Sequence, residues 1–461
     1  MKTTLSRIVP VALAALLAAC AGPEPKKPTA AEAAQSALPA PAFPNAGGSG
    51  ATAATELPWA QAFRGTRLQQ LIPLALANNR DLRVAVANID SARATAAARD
   101  ADLWPTVNAG LSGSRTPNAN GGITSLYQAG LQVSAYELDL FGRLRGLDAA
   151  AQAQLLGAES NRQAVRIALV TSVATAEVAL QADEALLKLT RGTLASREQS
   201  LSLIRQRFEG GITSELDLRA GESALQAARV ALAQTQRQRA LDENALVLLL
   251  GSALPAGLPA PTGELADFEP LADLPAGVPA EVLTRRPDIR QAEQQLAAAD
   301  ANIDAARAAF FPRITLTGSF GTTSNQLSNL FKNSAWSFAP QLIQPLFDAG
   351  RNRANLAGAR AARDVALAQY EKAVQSAFRD VADALAGRAT LSEQRSAQAA
   401  LVDAEARRLA LSDERYRAGI ASSLDVLDAQ RSLFTAQQAL VQVQSLRAQN
   451  LVAVYRVLGG G

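Results

Sequence analysis

Five landmarks in the first half of this sequence return in the second half at a constant distance of about 207–208 residues. NNRDLRVAV at 78–86 is answered by RRPDIRQAE at 285–293, LWP at 103–105 by FFP at 310–312, and ELDLFGRLRG at 137–146 by QPLFDAGRNR at 344–353. RFEGGI at 207–212 is answered by RYRAGI at 415–420, and LLG at 249–251 by VLG at 457–459. Chance similarity does not hold register across five sites. The chain therefore has to fold as two copies of one plan, and a unit this long is a duplicated domain rather than a solenoid repeat. The first copy spans 59–251, the second 281–461, and a Pro-rich connector at 252–280 joins them.

Each copy reads as a helix, a strand pair, a long helix, a tight turn and a second long helix. No proline occurs between Gly142 and Glu209, which predicts one helix over 143–209, about 100 Å long at 1.5 Å per residue. The second copy repeats it from Arg351 to about Ala418. Gly210 and Gly211 in one copy, and Ala418 and Gly419 in the other, stop these helices where a left-handed cap is wanted, giving tips near 210–214 and 418–422. In the last helix Leu427, Phe434, Val441, Ala448 and Tyr455 recur every seven residues, a coiled-coil seam that a plain rod would share.

The strand pairs narrow the choice. Segments 106–116 and 127–139, and then 313–323 and 336–347, alternate apolar with small polar side chains: Leu131 and Val133 against Gln132 and Ser134, Trp336 and Phe338 against Ser337. Alternation over about ten residues is the pattern of a membrane β-barrel strand, although a half-buried soluble hairpin alternates too. Pro340 and Pro345 weaken the fourth strand. Four strands do not close a barrel, and lipid does not tolerate an open sheet edge. Strands of this kind require oligomerisation, and three copies supply an even twelve.

Composition excludes several function classes. The chain has no His, one Met and one Cys, which removes His-based acid–base catalysis, His or Cys metal sites and any disulfide. Paired carboxylates are the only candidate for enzyme chemistry, and they lack polar partners in the sequence. A net charge of +3 with interspersed signs offers no basic stripe for nucleic acid. Aromatics at 5% alongside abundant Ala, Leu, Gln and Arg suit long helices packed through small side chains.

The single Cys has a place of its own. Lys2 and Arg7 precede a short apolar run, and LAAC ends at Cys20, so 1–19 reads as a secretory signal too short to span a membrane. LAAC resembles the bacterial lipobox, which implies a lipidated Cys20, of palmitate type, and Ala21 implies release to the outer membrane. Residues 20–58, rich in Pro, Ala, Gly and Ser, then read as a lipidated flexible tether.

The duplicated plan, the lipobox, LWP and FFP ahead of the strands, and above all RYRAGIASSLDVLDAQRSL resemble the outer-membrane factors of the TolC/OprM type, in their lipoprotein branch. The resemblance runs from about Leu57 to Gly459. It implies an α+β membrane protein: a trimeric twelve-stranded β-barrel, four strands per chain, continued by a long α-helical coiled-coil barrel in the periplasm. It also implies a passive exit duct in multidrug efflux, working with a periplasmic adaptor protein and an inner-membrane transporter, proton-driven in this branch. No cofactor or metal is implied beyond the lipid. Leu424, Asp425 and Asp428 match the family's periplasmic gate, and Asp217 an acidic position at the first tip. Arg207, Gly210, Gly211, Arg415, Tyr416 and Gly419 match the turns where the adaptor docks. The chain departs from other members at Ala421, where some carry an Arg that helps hold the tip shut.

The residues themselves allow a plainer account of part of this. Ser214 to Asp217 and Ser422 to Asp425 each form a capping-box spacing, so these two acids serve helix starts. Asp428 is answered by Ala220 in the first copy, so shared capping does not require it. A trimer would gather three Asp428 side chains into a cation-favouring ring, with Leu424 as an apolar constriction one turn earlier. An aromatic at Phe208 or Tyr416, just before each turn, more simply packs the helix end. Two other readings stay open at this point: a lipid-anchored periplasmic adaptor, and a coiled-coil structural protein.

Overall fold

The computed structural model describes residues 28–44, 58–117, 121–265 and 280–460. The signal segment 1–19, Cys20, and parts of the tether and the connector lie outside them. In chain order the elements are α1 (Ala30–Ala37), α2 (Trp59–Ala62), α3 (Thr66–Asn78), α4 (Arg80–Ala101), β1 (Val107–Pro117), β2 (Ile123–Glu137), α5 (Arg143–Glu209) and α6 (Glu215–Leu250). The second copy follows with α7 (Pro287–Ala308), β3 (Arg313–Ser324), β4 (Ser334–Ile343), α8 (Arg351–Arg417) and α9 (Ser423–Val457).

The two copies share contacts as well as residues. Asn79 Nδ2 donates to the Leu249 carbonyl at 2.9 Å, and Arg286 Nη1 donates to the Val457 carbonyl at the same distance. In each copy the residue that opens the helix ahead of the strand pair thus holds the end of the last helix. Both long helices hold 67 residues and start behind a left-handed glycine, Gly142 at φ 81° and Gly350 at φ 86°. A side chain at either position would strain the backbone.

Small side chains set the helix packing. Gly146, Ala150 and Ala153 of α5 face Ala298, Ala301 and Ala305 of α7, and a Cβ at Gly146 would stand 3.0 Å from the Ala305 nitrogen. The main core lies midway down the long helices. There Leu68, Leu71 and Ile72 of α3 meet Val173 and Ala174 of α5, Val374 and Val381 of α8, and Tyr455 of α9. Phe63 sits edge-on to Tyr455 with ring centres 5.1 Å apart. A window of α5 is apolar enough to cross a membrane by length and composition, and half of it is buried inside the chain.

The strands form one antiparallel sheet in the order β1-β2-β3-β4, leaving β1 and β4 as open edges within the chain. Its register sorts the two faces. Ala109, Leu131, Phe320 and Trp336 align in one row, and Asn108, Gln132, Ser319 and Ser337 in the next, on the opposite face. The apolar row is exposed, since nothing among the described residues covers it. Gly130 pairs with Gly321 at the β2–β3 crossing, where a Cβ on Gly321 would lie 2.1 Å from the Ala129 carbonyl oxygen. Glu137 ties sheet to helix, taking two hydrogen bonds from Arg143 at 2.8 and 2.7 Å and an ion pair from Arg313 at 2.5 Å.

Three expectations need correction. Strand β2 begins at Ile123 rather than 127, and β4 ends at Ile343, before Pro345, rather than at 347. Within the chain Pro340 lies on an edge strand, the place in a sheet where a proline is admitted. The stretch 20–58 is not a free tether where it is described. Thr29 and Glu32 form a capping box for α1, which buries Ala33, Ala34 and Ala37, and Phe43 packs on Phe378 at 4.9 Å. Its alanines suggest a linker by composition but are strong helix formers with a small face to bury. The start of the connector is likewise held, because Gln181 Oε1 accepts the backbone N–H groups of Thr262 and Gly263, both at 3.0 Å.

Candidate functional site at the helical tips

The two hairpins end in matching turns. Gly211 and Gly419 take φ of 70° and 74°, and Ser214 and Ser422 cap α6 and α9 with identical backbone angles, φ −83° and ψ 160°. Each serine hydroxyl accepts the N–H of the aspartate three residues on, and each aspartate takes the serine N–H in return. Asp217 and Asp425 are therefore capping residues first. The backbone and hydroxyl donors of Ser422 hold the Asp425 carboxyl below the usual carboxylate range.

Asp217 does more. Thr213 Oγ1 and Ser214 Oγ donate to its Oδ2 at 2.8 and 2.6 Å, and Ser423 Oγ of the other hairpin donates to its Oδ1. These hydroxyl donors, Ser214 first, hold its pKa down to about 2. A second link crosses the same gap. The Arg207 guanidinium lies 4.4 Å from the centre of the Tyr416 ring. So the first-copy tip is fastened to the second-copy tip within one chain. Ser423 was missed by sequence reasoning because its first-copy counterpart is Glu215.

Tyr416 does not stand open at its turn. Its ring is buried under Arg207, as an aromatic packing a helix end should be. Arg415, Gly210, Gly211 and Gly419 are exposed at the turns.

Asp428 has partners of its own. It does not stand as a lone acid: Arg431 Nη2 donates to its Oδ1 at 2.6 Å and Arg408 Nη2 to its Oδ2 at 2.9 Å. Arg408 also reaches Ser432 Oγ at 3.1 Å and Glu405 at 3.3 Å. Two acids and two arginines thus balance at this level. Arg431 was visible in the sequence, three residues after Asp428 on the same helical face. Arg408 belongs to the other helix of the hairpin and carries no local signal.

Apolar side chains complete the tips. Ile212 and Leu216 are 76% and 80% exposed, and Ile420 and Leu424, at the equivalent positions of the second copy, 70% and 64%. Aliphatic groups this open want a neighbour from outside the chain. Among the described residues no group of three His, Cys, Asp or Glu is placed to hold a metal ion.

Comparison with known proteins agrees with this architecture. The family model described as outer membrane efflux protein matches the chain twice, over residues 71–252 and 278–460. The antibiotic efflux pump outer membrane protein ArpC of Pseudomonas putida is 47% identical over 422 residues, covering 90% of this chain and 87% of its own. The solvent efflux pump outer membrane protein SrpC of the same species is 46% identical over 427 residues, covering 90% of each chain. Among solved structures, the open state of the MtrE outer membrane channel of Neisseria gonorrhoeae superimposes with a TM-score of 0.85 at 38% identity, covering 95% of this chain and 98% of that one.

Proposed function

Because this chain belongs to the outer membrane efflux protein family, we infer that it is the outer-membrane exit channel of an efflux system. Three copies close their sheets into a twelve-stranded barrel and their helices into a periplasmic tube. The observation that carries this reading is the four-stranded sheet: one exposed apolar face, one face of Ser, Gln and Asn, and an open edge on either side. A sheet of that kind is stable in lipid only when its edges meet those of other copies.

The chain's own part is passive. A periplasmic adaptor docks at the exposed turns around Gly210, Gly211, Arg415 and Gly419 and links the duct to an inner-membrane transporter, proton-driven in this branch. A lipid on Cys20 anchors the chain to the membrane. The periplasmic gate consists of the apolar Ile420 and Leu424 and, one turn above, Asp428 with its two arginines. Cargo is of the kinds for which the relatives are named, solvents and antibiotics, and the duct's small polar side chains leave selection to the transporter. No catalytic role is assigned.

Planar-bilayer recording of the detergent-purified oligomer tests the reading. A channel that opens when the tip is disrupted by Leu424→Ser supports it. A folded oligomer that conducts in neither form removes the duct, and a lipid-anchored adaptor or coiled-coil rod would take its place.

A further inference from the structure

Above the tips, between α5 and α9, lies a cavity of about 470 Å³ that none of the channel's proposed work uses. Arg197 lines it. That residue is 8% exposed, and among the described residues its guanidinium makes no hydrogen bond or ion pair, its nitrogens opening onto the cavity. Every other buried arginine among the described residues is paired: Arg67 with Glu177, Arg286 with Asp288 and Arg363 with Asp300. Burial, and then the nearby charge of Arg431, push its pKa down from the ordinary range. A cation held in this way is costly to folding unless something satisfies it.

The rest of the cavity fits a particular kind of guest. Lys188, about two and a half turns along α5 from Arg197, lines the same space and likewise has no acidic partner among the described residues. Gln430 also lines it, and its buried Oε1 is unpartnered. Leu433 and Phe434 of α9 form an apolar wall. Gly192 lies on the α5 side, and a Cβ there would meet nothing within 4 Å, so the open space begins at the helix backbone. The volume is far above that of a bare inorganic anion and lies within the range of small-molecule sites, about 300–1,000 Å³.

We propose that this cavity binds an organic carboxylate, its oxygens on the Arg197 guanidinium, Lys188 as a second cation, and its apolar body against Leu433 and Phe434. The fork of an arginine matches a carboxylate in two parallel hydrogen bonds. Stability and ligand response separate this role from a structural one. An arginine kept for binding lowers the stability of the unliganded protein, whereas one serving structure raises it.

The test uses the detergent-purified oligomer and 4-phenylbutyrate as probe, with 4-phenylbutanol as its neutral counterpart. The thermal midpoint, read by tryptophan fluorescence, should rise by about 2 °C or more with saturating carboxylate and not with the alcohol. Arg197→Met should raise the midpoint without ligand and abolish the response. Gly192→Leu, which fills open space and leaves every charge in place, should abolish the response as well. Lys188→Met, at an exposed position, should weaken binding by about threefold. No response in the wild type, an equal response to the alcohol, or a response that survives both Arg197→Met and Gly192→Leu overturns the proposal. A lower midpoint in Arg197→Met also overturns it, because a carboxylate of a neighbouring copy would then be filling the site.

Discussion

Asp217 and Asp425 hold equivalent positions in the two copies, yet only Asp217 reaches the other hairpin. Its carboxylate is held near pKa 2, against an ordinary 3.8, by hydroxyl donors that need it ionised. A depressed carboxylate contributes stability that is complete above the ordinary pKa and lost as pH falls through the lowered one. Hydrogen-exchange protection at the first turns of α6 and α9 should therefore be constant from about pH 8 to pH 4 and fall toward pH 2. Asp217→Asn should lower it throughout, and an unchanged profile in that variant would remove Asp217 from the link. Asp428 gives a different kind of prediction. Its removal leaves Arg408 and Arg431 facing Glu405 alone, one unit of positive charge per chain. The reversal potential of Asp428→Ala channels in a KCl gradient should move toward chloride, while Asp425→Ala should loosen the capping box of α9 and leave selectivity where it was. If Asp428→Ala matches the wild type, the pore does not pass this residue.

At the scale of elements, the middle of the hairpin carries an acid with the opposite behaviour. Asp183 of α5 is 5% exposed and faces Asp242 of α6, and burial followed by that neighbouring acid raises its pKa to about 7. Arg239 opposes the shift weakly because it is already paired to Glu184 at 2.9 Å and Glu243 at 3.1 Å. A raised carboxyl favours folding fully below the unfolded pKa, and the benefit is lost as pH rises to the folded value. The oligomer should melt higher at pH 4.5 than at pH 8, and Asp183→Asn should narrow the gap by raising the pH 8 midpoint. A gap unaffected by the substitution would place the sensitivity elsewhere. This pair also shows where sequence reading stops. Helices, caps and strand faces follow from local rules: proline-free runs gave α5 and α8, Ser-x-x-Asp gave both N-caps, and alternation gave the faces of the sheet. Asp183 with Asp242, and Arg408 with Asp428, join different helices, and no local spacing connects them. Other misses were local but ambiguous. The bulge that puts Ala135 at φ 51° has no glycine to announce it, and the alanines of α1 look like a linker until α8 covers them.

At the scale of the whole molecule, the sheet decides how many copies are needed and where lipid lies. Within one chain both edges are open, and Leu131, Phe320 and Trp336 are exposed on one face. The same face would be a liability in water, and burying it against lipid while edges pair between copies resolves both problems. Neighbours Ser319 and Phe320 on the inner strand β3 point to opposite faces, Ser319 Oγ lying 2.7 Å from Ser337 Oγ on the polar side. They make a paired test that differs by one position in sequence and by the whole wall of the barrel in space. Lysine in place of Phe320 puts a charge into the apolar band, at about 2–4 kcal/mol per chain near the bilayer midplane, and three chains multiply it. Phe320→Lys should sharply reduce the heat-modifiable oligomer recovered from outer membranes. Ser319→Lys should leave that oligomer intact and instead shift the channel's conductance and ion preference, since three lysines then line the bore. Equal loss of oligomer in both variants would mean the two faces see the same surroundings, which no barrel allows, and the sheet would have to be a soluble one.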